Sequence, residues 1–288
     1  MQTVLPRISR MSAPASSDRS GRPARPRLAD VSASYDLGVE AYDTLWGPVI
    51  RPAAAALLPF MRFDEANVVL DVGGGAGATS ELIRASAGLD PIVLDPSKEM
   101  LRIARGERRL RVVQGDAMRM PFASGCADVV VLAYVLFHLA DPLVALRETA
   151  RVLRAGAVVG CVTWASERAE RAQQIWTNAL TDAGAPPLPP RRVDEGLSTA
   201  DDIGRMLRRA GLRPHEIWHH QLSHQWDAAS FLALLTGSGV QRQRLQLLDH
   251  DARTALLTRV GQELTDLPAE DFWWEGEALC AIAEKPDD

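Results

Sequence analysis

Nine residues constrain this chain more than any others: Val69-Leu70-Asp71-Val72-Gly73-Gly74-Gly75-Ala76-Gly77. A short apolar run, Val68 to Val72, stops at four glycines within five positions, and a helical pattern, Ala78 to Ala87, starts directly after. That is a buried strand, a tight turn and a helix. Glycine there permits positive φ and lets a ligand approach the backbone closely. The helix start beyond it offers free amide donors and positive potential. The turn therefore favours a polar or anionic ligand lying across the strand ends of an open α/β sheet.

The pattern repeats along the chain. Strands are predicted over Pro91 to Leu94, Leu110 to Val113, Asp128 to Ala133 and Gly156 to Trp164. Helices are predicted over Lys98 to Arg105 and Asp141 to Arg154, the latter with Leu143, Leu146, Ala150 and Leu153 on one face. This alternation argues for a Rossmann-like, doubly wound, mostly parallel seven-stranded sheet. An N-terminal helical cap precedes it, interrupted by Pro48 and Pro52, with a second short helix from Arg51 to Met61. Beyond Trp164 we expect a helix over Glu167 to Ala183, a Pro-rich loop over Gly184 to Arg192, and a helix capped by Ser198 or Thr199. A strand over Glu216 to Trp226, helices over Ala228 to Leu235 and Arg242 to Leu264, and a last strand over Ala278 to Ala283 complete the reading. The expected units are a disordered tail (1–27), the cap (28–63), a ligand-binding core (64–164), and the rest of the sheet plus a helical lid (165–288).

Composition narrows the function classes. The longest apolar run, Val129 to Phe137, is far short of the ~20 residues a membrane-spanning helix needs. Cys126, Cys161 and Cys280 are odd in number and form no CxxC pair, which argues against a disulfide framework or a zinc ribbon and for reduced thiols in a cytoplasmic protein. Residues 1–27 hold six arginines against Asp18; taking that +5 from the overall −5 leaves the rest at −10. Such an acidic body is a poor partner for phosphate backbones. The histidines at 215, 219, 220 and 224 fall on a strand, where His220 and His224 stand ~13 Å apart, too far to share a metal. We therefore expect no nucleic acid, membrane or metal, and a monomer or homodimer.

The acids after the strands sharpen the ligand. The glycine turn alone suits two ligands: Gly73, Gly75 and Ala78 fit a dinucleotide pattern, while Asp71, Gly73, Gly75 and Gly77 fit a nucleoside joined to methionine. Asp95, ending the second strand, stands where a ribose diol would lie and suits either. Asp116, in Gln114-Gly115-Asp116-Ala117, discriminates: its carboxylate can accept from an adenine amino group while the Ala117 amide donates to the ring.

Residues 68–164 resemble the class I S-adenosylmethionine-dependent methyltransferase family, in its small-molecule branch. The resemblance rests on 70–77, on Leu94-Asp95-Pro96-Ser97-Lys98-Glu99-Met100-Leu101, on Gly115-Asp116-Ala117, on Pro121-Phe122, on Asp128-Val129-Val130, on His138-Leu139-Ala140-Asp141-Pro142, and on 148–156, in family order and spacing. It implies S-adenosyl-L-methionine as cofactor, with S-adenosyl-L-homocysteine as product. Gly73 and Gly75 would hold the methionine end and Asp71 would orient its ammonium. Asp95 would bind the ribose, Met100 would pack on adenine, and Asp116 and Ala117 would read its edge. Ala133 would face the sulfonium, and Tyr42 would cover the site.

The acceptor is harder to read, because displacement at a sulfonium carbon needs alignment and dryness more than a fixed motif. Ala133-Tyr134-Val135-Leu136 lacks the prolines of base-amino methylating enzymes, and Cys126 does not sit in a Pro-Cys pair. A small organic acceptor remains. Tyr134, Phe137, His138 and Trp164, roofed by Tyr35, Tyr42 and Trp46, are the expected acceptor pocket. His138, with Tyr134, is the expected manager of a proton, which points to O-methylation of a phenol or hydroxyl in specialised metabolism. N- or C-methylation, or cyclisation on the same fold, are the alternatives.

Overall fold

A computed structural model describes residues 28–168, 170–186 and 197–287. The expectations for the tail (1–27) and for most of the Pro-rich loop lie outside the described residues. The N-terminal cap consists of α1 (Leu28–Asp36), α2 (Val39–Ala41), one π-helical turn (Tyr42–Trp46) and α3 (Gly47–Leu57). The core follows as β1 (Val69–Val72), α4 (Ala78–Ala87), β2 (Ile92–Asp95), α5 (Lys98–Gly106), β3 (Arg111–Gln114), β4 (Ala127–Ala133), α6 (Pro142–Val152) and β5 (Leu153–Arg168). The chain continues through α7 (Arg171–Asp182), α8 (Ala200–Arg209), β6 (Arg213–Gln225), α9 (Ala228–Gly237), α10 (Gly239–Gln246), α11 (His250–Thr265) and β7 (Trp273–Glu284).

The strands form one seven-stranded sheet in the order β3-β2-β1-β4-β5-β7-β6. β1 to β5 are mutually parallel, and β7 runs antiparallel between β5 and β6. Strand succession reverses direction between β1 and β4, so the crevice of the sheet opens beyond the carboxyl ends of those two strands. The inner strands are buried on both faces: Leu70, Val72, Val130 and Leu132 on one side, Val69, Val129 and Val131 on the other, all at most 2 % exposed.

Several boundaries differ from expectation. Pro48 and Pro52 do not interrupt the cap: α3 runs unbroken from Gly47, with Pro48 in its first turn and Pro52 inside. A proline in the first turn removes a donor that has no partner anyway, and Pro52 removes one i→i−4 bond only. The π turn ahead of it is closed by Gly47 N–H donating to Tyr42 O. β5 extends to Arg168, four residues past Trp164, because it pairs with β7 as far as Glu275. That pairing displaces the helix expected from Glu167, which starts at Arg171 instead. The helix expected over Arg242 to Leu264 is two helices, α11 being restarted by Asp249, whose carboxylate accepts from Ala252 N–H at 2.8 Å. Thr199, not Ser198, caps α8, accepting from Asp202 N–H at 3.2 Å.

Glu284 fastens the far end of the sheet. It is 6 % exposed at the end of β7 and accepts from Arg62 at 2.8 Å and Arg213 at 2.6 Å, with His215 Nε2 at 3.2 Å. Burial alone would raise its pKa, but the two guanidiniums outweigh burial and hold it below the usual glutamate range. A lowered folded pKa stabilises the fold above the unfolded value of ~4.3, and that stabilisation is lost as pH falls through the folded pKa. E284Q is therefore expected to lower stability by about 1–3 kcal/mol at neutral pH, with the difference from wild type shrinking below about pH 4 in chemical denaturation.

Candidate active site

The crevice at the β1/β4 reversal holds a part-open cavity whose empty space, open solvent included, is about 690 Å³. One end is the glycine turn. Gly73 (φ +69°) and Gly75 (φ +56°) adopt the left-handed conformation, which curls the turn back toward β2. Gly73 N–H donates to Leu94 O at 2.6 Å, and Gly75 N–H donates to Asp95 Oδ2 at 2.9 Å. A Cβ at Gly73 would fall 2.3 Å from Val135 Cγ2, so the turn fits only without a side chain there.

Asp95 closes the turn from β2. Its second oxygen accepts from Ser97 N–H at 2.8 Å, while the side chain faces the cavity at 8 % exposure. Burial pushes its pKa up to about 6, against the lowering effect of those two backbone N–H groups. Asp71 lies under the turn rather than in the cavity lining, 1 % exposed; a Cβ at Gly74 would fall 2.5 Å from its carboxyl carbon. Oδ2 accepts from Ser80 Oγ at 2.7 Å, and Oδ1 is buried with no hydrogen-bond partner among the described residues. Burial raises Asp71 to about 6 as well, against the lowering effect of Ser80.

Met100, Ala117 and Ala133 line the cavity, as do all three of the chain's tyrosines, Tyr35, Tyr42 and Tyr134. Tyr134 follows β4 at φ +59°, a strained conformation for a side chain of its size. The Tyr42 hydroxyl is raised well above its ordinary pKa by burial, then by Tyr35, Tyr134 and Asp95. Tyr35 Oη lies 2.8 Å from His138 Nε2, and Val31, Ser32 and Leu139 also line the cavity.

Other expected residues stand elsewhere. Asp116 is adjacent to the lining, and its Oδ1 accepts from Met118 N–H at 2.8 Å within its own turn. Gly77 (φ +94°) caps α4 behind the cavity, where a Cβ would meet Leu110 Cδ1 at 2.3 Å. Trp46 and Trp164 pack with Trp274 in an aromatic core, ring centroids 5.3–6.1 Å apart, behind Tyr134. Phe137 stacks on His138 at 4.2 Å without lining the cavity. Of the residues expected around an acceptor, Tyr35, Tyr42, Tyr134 and His138 line this cavity, and Trp46, Phe137 and Trp164 do not.

Two polar clamps, unforeseen in the sequence, fix the cap over this site. Asp36 Oδ1 accepts from Ser97 Oγ at 2.5 Å and from Glu99 N–H at 3.3 Å, tying α1 to the start of α5. Arg108, 13 % exposed, donates to Asp43 at 2.8 Å, Glu81 at 2.7 Å and Ala76 O at 3.0 Å, joining the π turn to the back of the glycine turn. No local pattern marks such pairs, since 61 or 65 residues separate the carboxylates of α1 and the π turn from their partners. Among the described residues no cluster of His, Cys, Asp or Glu could hold a metal, and no helix is long and apolar enough to cross a membrane. His215, His219 and His224 instead face Glu284, Glu277 and Trp226.

Two outcomes follow from this geometry. Carboxyl carbon NMR of the cofactor-free protein should show Asp71 and Asp95 titrating near pH 6. Because both folded values exceed the unfolded ~4, the stability they contribute is present at low pH and falls as pH rises through about 6. Gly73→Ala should cost about 1–3 kcal/mol in thermal denaturation, from positive φ and the Val135 clash together.

Comparison with known proteins agrees with this architecture. Residues 70–161 match the family described as "Methyltransferase domain". The demethylmenaquinone methyltransferase of Renibacterium salmoninarum is 33% identical over 132 residues, 44% of this chain and 52% of that protein. An uncharacterised methyltransferase of Mycobacterium tuberculosis is 37% identical over 136 residues, 46% of this chain and 53% of that protein. The chain spans about half the length of the curated relatives it matches. Among solved structures, the cyclase SpnF superposes with a TM-score of 0.58 at 18% identity, covering 92% of this chain and 99% of that one. The YcgJ protein of Bacillus subtilis gives 0.51 at 21%, covering 82% and 99%. Sheet order, glycine turn and relatives together support a class I S-adenosylmethionine-dependent methyltransferase domain, the family match lying over residues 70–161.

Proposed function

We propose that this protein transfers a methyl group from S-adenosyl-L-methionine to the hydroxyl oxygen of a small organic acceptor. The observation that carries the reading is a single cavity whose lining combines two chemistries. It presents a carboxylate, Asp95, fixed by the glycine turn, and an imidazole, His138, among tyrosines.

The residues fit the cofactor. Gly73 and Gly75 leave the turn bare for its amino-acid end, and the unpartnered buried Oδ1 of Asp71 supplies negative potential beneath that turn for an ammonium. Asp95 retains lone pairs for two ribose hydroxyls, since each oxygen accepts only one backbone N–H. Met100 and Ala117 form apolar walls for adenine, and the turn carrying Asp116 stands beside them. Ala133 leaves room at the end of β4. Bound S-adenosylmethionine supplies a methyl carbon whose bond to sulfur breaks, with the electron pair kept by sulfur, as the new bond to the acceptor oxygen forms.

The chain's own part is to bind, orient and take a proton. Tyr42 excludes water, aided by the Asp43–Arg108 and Asp36–Ser97 clamps that hold the cap. His138 Nε2 accepts the acceptor's proton, in the tautomer whose other nitrogen, Nδ1, carries hydrogen. The named substrate of the Renibacterium relative, a demethylated menaquinone, supports an acceptor of the small-molecule class. Likeness to SpnF is one of fold, and radiolabel transfer from methyl-labelled cofactor separates methylation from cyclisation.

Asp95→Ala should weaken S-adenosylhomocysteine binding by about 10- to 100-fold in calorimetry, through loss of charge-assisted hydrogen bonds of ~1–3 kcal/mol. Wild-type affinity should fall below about pH 6, because the ribose hydroxyls favour charged Asp95 and protonation competes with them. His138→Ala should lower turnover and leave that affinity intact. Binding unaffected by Asp95→Ala would remove the cofactor assignment.

A further inference from the structure

The Tyr35–His138 pair in the cavity carries information about what it accepts. Tyr35, on α1, is half-buried and places its phenolic oxygen 2.8 Å from His138 Nε2. Its ring stands edge-on to two others, Tyr42 at 5.2 Å and 87°, and His138 at 5.4 Å and 89°. Edge-to-face contacts in this range are a favoured arrangement for aromatic rings. The Tyr35 side chain therefore sits in a slot with aromatic walls, and its hydroxyl occupies the one nitrogen that the methyl-transfer reading needs for the acceptor's proton.

The two roles cannot be filled at once. An acceptor hydroxyl reaches His138 Nε2 only when Tyr35 Oη leaves it. The backbone of α1 need not move for this, because Asp36, the next residue, stays tied to Ser97 and Glu99. A change of side-chain rotamer at Tyr35 is enough.

We propose that Tyr35 is an internal stand-in for the acceptor: a phenol takes the place of the Tyr35 ring, its hydroxyl donating to His138 Nε2 and its ring lying against Tyr42. The proposal rests on the methyl-transfer reading for its purpose, and adds to it both a substrate class and a gate. With no phenol present, Tyr35 keeps His138 engaged. A phenol replaces one aromatic ring and one hydrogen bond by their equivalents, so exchange costs little. A purely aliphatic alcohol replaces the hydrogen bond and leaves the edge-to-face contacts unmade.

The test is binding, so that it stands apart from turnover. Phenol and cyclohexanol are titrated into full-length protein saturated with S-adenosylhomocysteine, followed by nitrogen NMR of the histidine side chains. Phenol should shift the His138 Nε2 resonance, and cyclohexanol should do so at least fivefold more weakly. Y35F, whose ring no longer holds His138, should bind phenol about fivefold more tightly, as one hydrogen bond of ~1 kcal/mol is removed from the competitor. Y35A, with the slot emptied, should bind it more tightly still, and His138→Ala should abolish the difference between wild type and Y35F. Equal or weaker phenol binding in both Tyr35 variants, or cyclohexanol binding as well as phenol, would overturn the proposal. Failure of S-adenosylhomocysteine to bind overturns the methyl-transfer reading instead, and the phenol titration of the cofactor-free protein then still decides the slot.

Discussion

The hydrogen bond from Gly75 N–H to Asp95 is the contact around which this molecule is organised. It joins the loop after β1 to the end of β2, and it exists only because those strands are parallel neighbours in register, Val72 beside Leu94. The turn reaches it through positive φ at Gly73 and Gly75, and the side chain of Asp95 accepts it at a site buried enough to raise its pKa to about 6. Sheet order, glycine placement and the electrostatics of one acid are thus a single constraint.

The cap depends on that turn from the other side. Arg108 binds Ala76 O behind the glycines, and its remaining donors hold Glu81 and Asp43. Both Arg108 and Asp43 are mostly shielded, 13% and 14% exposed, so the pair is less screened than a surface ion pair. Asp43 belongs to the π turn that also carries Tyr42. A wider turn there presents Tyr42 to the cavity while Asp43, the next residue, faces Arg108. The acid that secures the cap and the aromatic ring that covers the site are therefore placed by one local irregularity, the sort of place where π-helical turns serve a site.

The legible part of the site is the part encoded by local succession. Val69 to Gly77 announces strand, turn and helix, and Asp95 announces itself by ending the next strand. Met100 follows one turn into the next helix. Each needs only the adjacent residues to be located, and each stands where that reasoning puts it, although Asp71 and Gly77 serve the turn from beneath and behind it. Trp46 and Trp164 are different. A strand-end position says which end of the sheet a side chain occupies, but not whether a distant ring such as Trp274 already covers it. Pro48 and Pro52 differ from expectation for a related reason: the first falls where the helix has no use for a donor, and the second costs one bond that the packed helix can spare.

By itself the sequence determined the class of fold, the glycine turn and the acid at the end of β2, because hydrophobic period, glycine and strand-end acids act over a few residues. Tertiary structure decided the rest. It set the length of β5, through pairing with β7, and the clamps of Asp36 and Asp43 on partners more than sixty residues away. It sorted the aromatic residues into core and cavity, and it brought Tyr35 of α1 onto His138, 103 residues distant. Those contacts arise from closure of the cap on the sheet, and no short-range pattern records which side chains meet when two surfaces fold together.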